Sequence, residues 1–329
     1  MERPFIEILE CGYATIQDLG RVGYRCVGVP ASGAMDRLSA VYANALVGNS
    51  PSEAVIEVVG GPIALRPSVD TVIAVVGARV RVSVDGVPAE EYRPIYLRRG
   101  SVLRVSAPLR GLVTYIAVAG GIDVPRVLGS RSTYVRGGFG GLEGRALRPG
   151  DRVPIASIDA SRVWSHVCTY RAPSTLVYRL PVSTVILRAT RGIHADLLGA
   201  SLETLLRSVY TVAPDSDRMG FRLSGPVPEK AQELGRIISV AVDRGCVQVP
   251  PEGGPIVLMA DAQTTGGYAV ALHLPPPEVD RLAQCPPGTQ VRFVLIDESE
   301  AEEMTARYLD ELEEPRLEEV DEELYDYFV

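Results

Sequence analysis

Four stretches of this chain concentrate glycine, arginine, acid and amide side chains more densely than connecting loops require. The first runs from Thr15 to Tyr24 (TIQDLGRVGY) and on from Gly28 to Asp36 (GVPASGAMD). The second joins Gly120–Asp123 (GGID), Leu128–Tyr134 (LGSRSTY) and Gly137–Gly141 (GGFGG). The third is Pro214–Arg222 (PDSDRMGFR), and the fourth is Met259–Tyr268 (MADAQTTGGY). In the fourth, Gln263, Thr264 and Thr265 can both donate and accept hydrogen bonds. Gly266 and Gly267 let backbone approach a ligand closely, and Tyr268 closes the run. That set suits a small polar substrate such as an amide, a lactam or a carboxylate; a tight turn capped by threonines is the competing reading.

In the third stretch, Arg218 and Arg222 are four apart and can fork onto a carboxylate or phosphate. Asp215 or Asp217 could act as a general base or orient one. A structural Asp–Arg network that holds the loop in place is the favoured reading of this spacing. Gln17, Asp18 and Arg21 in the first stretch raise the same pair of readings. The glycines of 137–141 resemble a phosphate loop only weakly, because no strand and clear helix flank them.

Composition removes several chemistries. Lys230 is the only lysine, so no Gly-Lys-Ser/Thr phosphate loop exists. Its setting, Pro-Glu-Lys-Ala, lacks the Met-Lys of biotin carriers, so no covalently attached biotin is expected. The three histidines, His166, His194 and His273, have no metal-ligand spacing, and no metal site is expected. His194 stands near a predicted helix start and is the one histidine of interest. Five scattered cysteines without a C-x-x-C pair argue against a disulfide framework or zinc knuckle. Residues 297–329 hold fifteen acids and two arginines; the whole chain carries −8, so the remainder is about +5. Its arginines are dispersed without aromatic interleaving, and nucleic acid is not an expected partner. No apolar run approaches the roughly 20 residues a bilayer requires, so a cytoplasmic protein without membrane partners is expected.

Short strands must position these stretches. Thr71–Val76 is continuously apolar, as for a strand buried on both faces. Val80–Val84 alternates and meets Asp85-Gly86, a two-residue hairpin signal. Ile95–Leu97, Ser101–Val105 and Leu112–Val118 continue at the turn spacing of a barrel or sandwich. A helix is predicted over Met35–Val47, and another over Ala195–Ser208 with five leucines on one face. Strands are predicted at Ser183–Ala189, Ile237–Val242, Cys246–Val249, Ile256–Met259 and Arg292–Ile296. A short helix should follow Pro277. The expected class is mainly β with a few helices, in two β-barrel-like subdomains at residues 1–165 and 175–297. Residues 298–329 form an acidic helical or disordered tail, with Met304, Tyr308, Leu309 and Leu312 as a docking stripe.

Seven segments, in order from about residue 13 to residue 296, resemble the biotin-dependent carboxyltransferase family, also called allophanate hydrolase subunit 2, which includes the C-type subunits of 5-oxoprolinase. They are TIQDLGRVGY, GVPASGAMD, NALVGN, GGIDVPRVLGSRSTY, GGFGGLEGRALRPGD, DSDRMGFRL and VQVPPEGGPIVLMADAQTTGGY. The chain departs from the family where Gly-Pro usually precedes the residue matching His194, at Leu197, and at Ala269, where proline is usual. The resemblance implies two barrel-like subdomains, the second cyclophilin-like. It implies one member of a multi-subunit 5-oxoprolinase, working with B-type and A-type companion subunits to convert 5-oxoproline to glutamate. There, ATP, with magnesium, phosphorylates the unreactive lactam carbonyl, and the nucleotide site is shared with the B-type partner. Two other roles accompany the resemblance: carboxylation of urea or a related amide by carboxybiotin brought on another protein, and regulatory binding that antagonises a kinase inhibitor. A companion subunit encoded alongside favours the enzymatic roles. The sequence is compatible with a homo-oligomer.

Overall fold

Alternation and β-branching set the strands, and the computed structural model, which describes residues 3–320, shows how they pair. The chain divides into two compact units that interleave in sequence: residues 1–20, 37–180 and 311 onward, and residues 21–36 with 181–310. Segment 21–36 thus groups with the second unit, although in sequence it sits inside 1–165.

The first unit holds β1 (Phe5–Gln17), β2 (Val55–Pro67), β3 (Thr71–Arg79), β4 (Val82–Val84), β5 (Val87–Ala89), β6 (Pro94–Leu97), β7 (Leu103–Val105), β8 (Arg110–Val118) and β9 (Arg152–Pro154). They form one nine-stranded sheet in the order β5-β4-β7-β2-β8-β3-β6, with β1 on β2 and β9 on β1. Thr71 to Ala78 are buried at every position. The helix Arg37–Leu46 packs on β3 and β8, which covers their second face and explains the uninterrupted apolar run. Asp85 and Gly86 both have positive φ, 50° and 86°, as a two-residue hairpin turn between β4 and β5 demands. Ile6, Ile16, Ile56, Leu65, Ile116 and Val153 belong to the apolar core. A two-residue strand, β10 (Tyr170–Arg171), pairs antiparallel with Glu318–Glu319 near the end of the described chain.

The second unit is a closed barrel. Its strands are β11 (Val185–Arg191), β12 (Tyr210–Val212), β13 (Gly220–Ser224), β15 (Cys246–Val249), β16 (Ile256–Leu258), β18 (Ala269–His273) and β19 (Gln290–Leu295). Around the barrel the order is β11-β18-β15-β16-β13-β12-β19, and β19 closes on β11 in parallel. Two short strands, β14 (Val240–Ala241) and β17 (Thr265–Gly266), pair separately; β20 is the Glu318–Glu319 strand of the first unit. Val291 and Phe293 of β19 are buried while Gln290, Arg292 and Val294 are exposed, the period-two pattern of a barrel wall.

One predicted helix changes form, and the helix predicted in the tail is present. The Ala195–Ser208 helix breaks into Ala195–Leu198, a 3-10 turn and Leu202–Arg207, because Gly199 takes φ 52°. The acidic tail begins with a regular helix, Glu298–Glu313, on which Tyr308 and Leu312 are buried and Leu309 is half exposed. The last nine residues of the tail lie outside the described residues. Among the described residues, no helix is long and apolar enough to cross a membrane.

Candidate functional site

The sequence motifs fall into both units. In the first, Asp18 follows the end of β1 and gathers the Leu128–Tyr134 loop. Its carboxylate accepts from Ser130 Oγ at 2.7 Å, from the Arg131 N–H at 2.6 Å and from the Gly20 N–H at 2.8 Å, and from Ser132 Oγ. Those donors occupy the lone pairs a general base would need. Gln17 is fully buried; its Nε2 donates to Thr15 Oγ1 (2.9 Å) and the Thr133 carbonyl (3.2 Å). Packing accounts for the two ends of the glycine run 137–141, whereas Gly138 takes a positive φ of 68° beside open space. A Cβ on Gly137 would come within 2.5 Å of the Tyr134 ring, and one on Gly141 within 1.9 Å of Thr133 Oγ1. Arg21, four residues after Gln17, is buried in the second unit, with its N–H on the Ala31 carbonyl at 2.7 Å.

The third and fourth motifs meet in the second unit. Arg218, just before β13, places Nε and Nη2 on Asp261 at 2.8 and 3.0 Å and also donates from Nη2 to the Gly33 carbonyl at 2.8 Å. Both side chains of the pair are over nine-tenths buried. Arg244 acts on the same segment: it donates to the Ala34 and Met35 carbonyls and pairs with buried Asp280 at 2.7 Å. Tyr308 Oη donates to the other oxygen of Asp280 at 2.8 Å. Two arginines therefore bind the backbone of GVPASGAMD to the barrel. Asp217 accepts from the N–H groups of Met219 (2.8 Å) and Gly220 (3.2 Å), shaping the turn into β13. Asp215 and Arg222 form a surface pair at 3.2 Å, both more than half exposed. Such a pair contributes about 0–1 kcal/mol.

Residues 263–268 form a half-exposed ledge beside β15 and β18. Thr265 and Gly266 pair with Ala241 and Val240; the Thr264 carbonyl accepts from the Val242 N–H at 3.1 Å, and the Gly267 carbonyl from the Ile237 N–H at 2.9 Å. The Tyr268 ring lies 5.9 Å from the Arg236 guanidinium. Gln263 Nε2 donates to Gln248 Oε1 at 3.2 Å. Gln248 belongs to β15, all four residues of which are buried, and its Nε2 has no partner among the described residues. A Cβ on Gly266 would fall 2.4 Å from that nitrogen, so glycine is what lets the carboxamide occupy its place. Gln248 and Asp261 escaped the sequence reading. A lone glutamine inside Cys246-Val-Gln-Val249 was the signal for the first, since a buried amide demands partners.

The arrangement favours holding over nucleophilic attack. Burial pushes the thiols of Cys246 and, to about 12, Cys285 upward, so both stay protonated at neutral pH. Burial lowers the His273 pKa, keeping that imidazole neutral. Among the described residues, no group of three or more His, Cys, Asp or Glu is placed to hold a metal ion. What remains is hydrogen-bonding capacity: the Gln263 carboxamide, two threonines and a glycine pair on the ledge, with the buried Gln248 carboxamide against it.

Comparison with known proteins agrees with the fold. The carboxyltransferase domain, subdomain A and B, matches residues 27–295. The C-type subunit of 5-oxoprolinase from Haemophilus influenzae is 35% identical over 311 residues, spanning 93% of this chain and 97% of the relative. The urea amidolyase of Saccharomyces cerevisiae is 31% identical over 89% of this chain, which spans 17% of that protein. The crystal structure of Kluyveromyces lactis urea carboxylase superposes with a TM-score of 0.83 at 29% identity, over 98% of this chain and 30% of the other.

Proposed function

Because this chain belongs to the carboxyltransferase-domain family, we propose that it is the C-type subunit of a 5-oxoprolinase, holding the lactam while its companions complete the reaction. The observation that carries this reading is the Gln248–Gln263 carboxamide pair over Gly266. An amide is recognised by groups that donate to its carbonyl and accept from its N–H, and a carboxamide does both in one plane. Thr264, Thr265 and the Gly266-Gly267 backbone would hold the rest of the ring and its carboxylate.

Two of the segments that could have received a triphosphate are otherwise engaged. Gly137 and Gly141 lie against neighbouring side chains, and the buried guanidinium of Arg218 is held by Asp261 and the Gly33 carbonyl. ATP, with its magnesium, is therefore assigned to the B-type companion, and ring opening to the A-type companion. Asp215, Asp217 and Arg218 are assigned to shaping and anchoring loops.

The urea amidolyase likeness favours a second reading, carboxylation of urea or a related amide, since urea presents the same planar carbonyl and N–H groups. Biotin would arrive on another protein, because Lys230, the only lysine, stands in Pro-Glu-Lys-Ala without the Met-Lys setting of biotin carriers.

Reconstitution separates the two. This chain with its A-type and B-type companions should hydrolyse ATP only when 5-oxoproline is present, and the chain alone should show little ATPase activity. Indifference to 5-oxoproline combined with carboxylation of urea by carboxybiotin would establish the second reading instead.

A further inference from the structure

The first unit contains a cavity of its own, about 730 Å³ in volume. That lies within the roughly 300–1,000 Å³ of small-molecule pockets. Four arginines line it: Arg79 at the end of β3, Arg81, Arg93, and Arg171 of β10. Three of them face acids. Arg79 pairs with Glu91, Arg93 with Glu90 at 3.1 Å, and Arg171 with Glu318 at 2.9 Å. Arg81 is exposed and its side chain forms no ion pair among the described residues. Its backbone is nevertheless fixed: the N–H donates to Ser106 Oγ at 2.9 Å and the carbonyl accepts from the Ser106 N–H at 2.9 Å.

The loop between β5 and β6 supplies one wall, and it is strained. Tyr92 has φ 62°, an unfavourable value for a bulky side chain. Three bonds pin it there. Its N–H donates to the Val75 carbonyl at 2.8 Å, its hydroxyl to the Gly77 carbonyl, and its own carbonyl accepts from the Ala172 N–H at 2.9 Å. Strain of this kind costs about 1–3 kcal/mol and gathers at ligand clamps and active sites. Strands β4 and β5 supply another wall. β5 is a sheet edge, pairing with β4 alone, but Pro88 at its centre has no N–H to offer an added strand. The cavity therefore suits a small molecule rather than a strand of another protein. Val82, Ala89 and Val177 give it aliphatic surface.

Glu318 shows what the rim accepts. Its Oε2 lies 2.9 Å from Nε and 2.9 Å from Nη2 of Arg171, where β10 and β20 pair over two residues. Both side chains are exposed, so the pair contributes about 0–1 kcal/mol, and a carboxylate from solution can take its place.

We propose that this cavity is a second ligand site, for a small carboxylate with an aliphatic body. The ligand's carboxylate takes the guanidinium of Arg81 and replaces Glu318 on Arg171, while its body lies on the aliphatic wall.

Titration calorimetry on the full chain tests this with hexanoate as the probe and hexan-1-ol as its uncharged counterpart. Hexanoate should bind saturably, and hexan-1-ol about tenfold more weakly or worse. Arg81→Gln and Arg171→Gln should each weaken hexanoate about tenfold at unchanged melting temperature. Glu318→Gln should strengthen it severalfold, because the competing carboxylate is gone. Equal binding of hexan-1-ol, indifference to Arg81→Gln, or no gain in Glu318→Gln overturns the proposal. So does the lack of saturable binding in both the wild type and Glu318→Gln. Should Arg171→Gln unfold, the comparison of the two probes on the wild-type chain decides. A synthetic peptide of residues 314–320 that binds the Glu318→Gln chain where hexanoate does not would give these arginines to an acidic peptide and refute the small-molecule assignment.

Discussion

Arg218 lies on Asp261 through two hydrogen bonds, 2.8 Å from Nε and 3.0 Å from Nη2, with both side chains over nine-tenths buried. The same Nη2 holds the Gly33 carbonyl at 2.8 Å. An arginine read from sequence as a candidate phosphate or carboxylate binder is thus occupied by a partner 43 residues away. Removing one member of a buried pair leaves the other as an uncompensated charge, at about 3–5 kcal/mol. Arg218→Ala should therefore lower the midpoint of denaturant unfolding, whereas Arg218→Met combined with Asp261→Leu should recover most of the loss. A stable but inactive Arg218→Ala protein would return this arginine to a direct catalytic role.

Gly266 supplies a more local test. Its backbone has no positive φ, so alanine is conformationally acceptable, but the added Cβ would meet Gln248 Nε2 at 2.4 Å. The far end of a flexible side chain can swing aside, so stability should change by less than about 1 kcal/mol. The carboxamide pair would be disrupted, and the KM of the assembled enzyme for its amide should rise about tenfold or more. Equal KM values for wild type and Gly266→Ala would show that Gln248 takes no part in recognition.

The neutral His273 predicts the acid side of the stability profile. Its folded pKa is lowered by burial, so the unfolded chain binds more protons as pH falls below the ordinary value of 6.5. Unfolding free energy should therefore decline from about pH 6.5 downward until the folded ring also protonates. His273→Gln should flatten that limb in urea titrations between pH 7 and 5; an unchanged slope would assign the decline to other groups.

The acidic helix is tied down by Tyr308, whose hydroxyl donates to Asp280 at 2.8 Å. Asp280 is fully buried and keeps Arg244 at 2.7 Å when the hydroxyl is lost. Tyr308→Phe should thus cost about 1.5–3 kcal/mol, the range for a hydrogen bond to a charged group. Calorimetry would show a lower Tm if this contact anchors the helix, and an unchanged one if apolar packing alone does.

The sequence by itself determined the strand-rich class, the run Thr71–Val76, the Asp85-Gly86 hairpin and the family, because alternation, turn residues and ordered motifs act over short stretches of chain. It also singled out the Gln263–Tyr268 ledge from the types of residue there. It could not say which polar groups meet one another. Asp18 with Ser130 and Ser132, Arg218 with Asp261, and Gln263 with Gln248 are partnerships between distant segments. Only the tertiary structure decided them, because a hydrogen bond depends on which donor and acceptor come within about 3 Å, and strand register sets that. The same register put His194 and Gln248 on either side of Val270, at positions whose spacing in the sequence carries no sign of it.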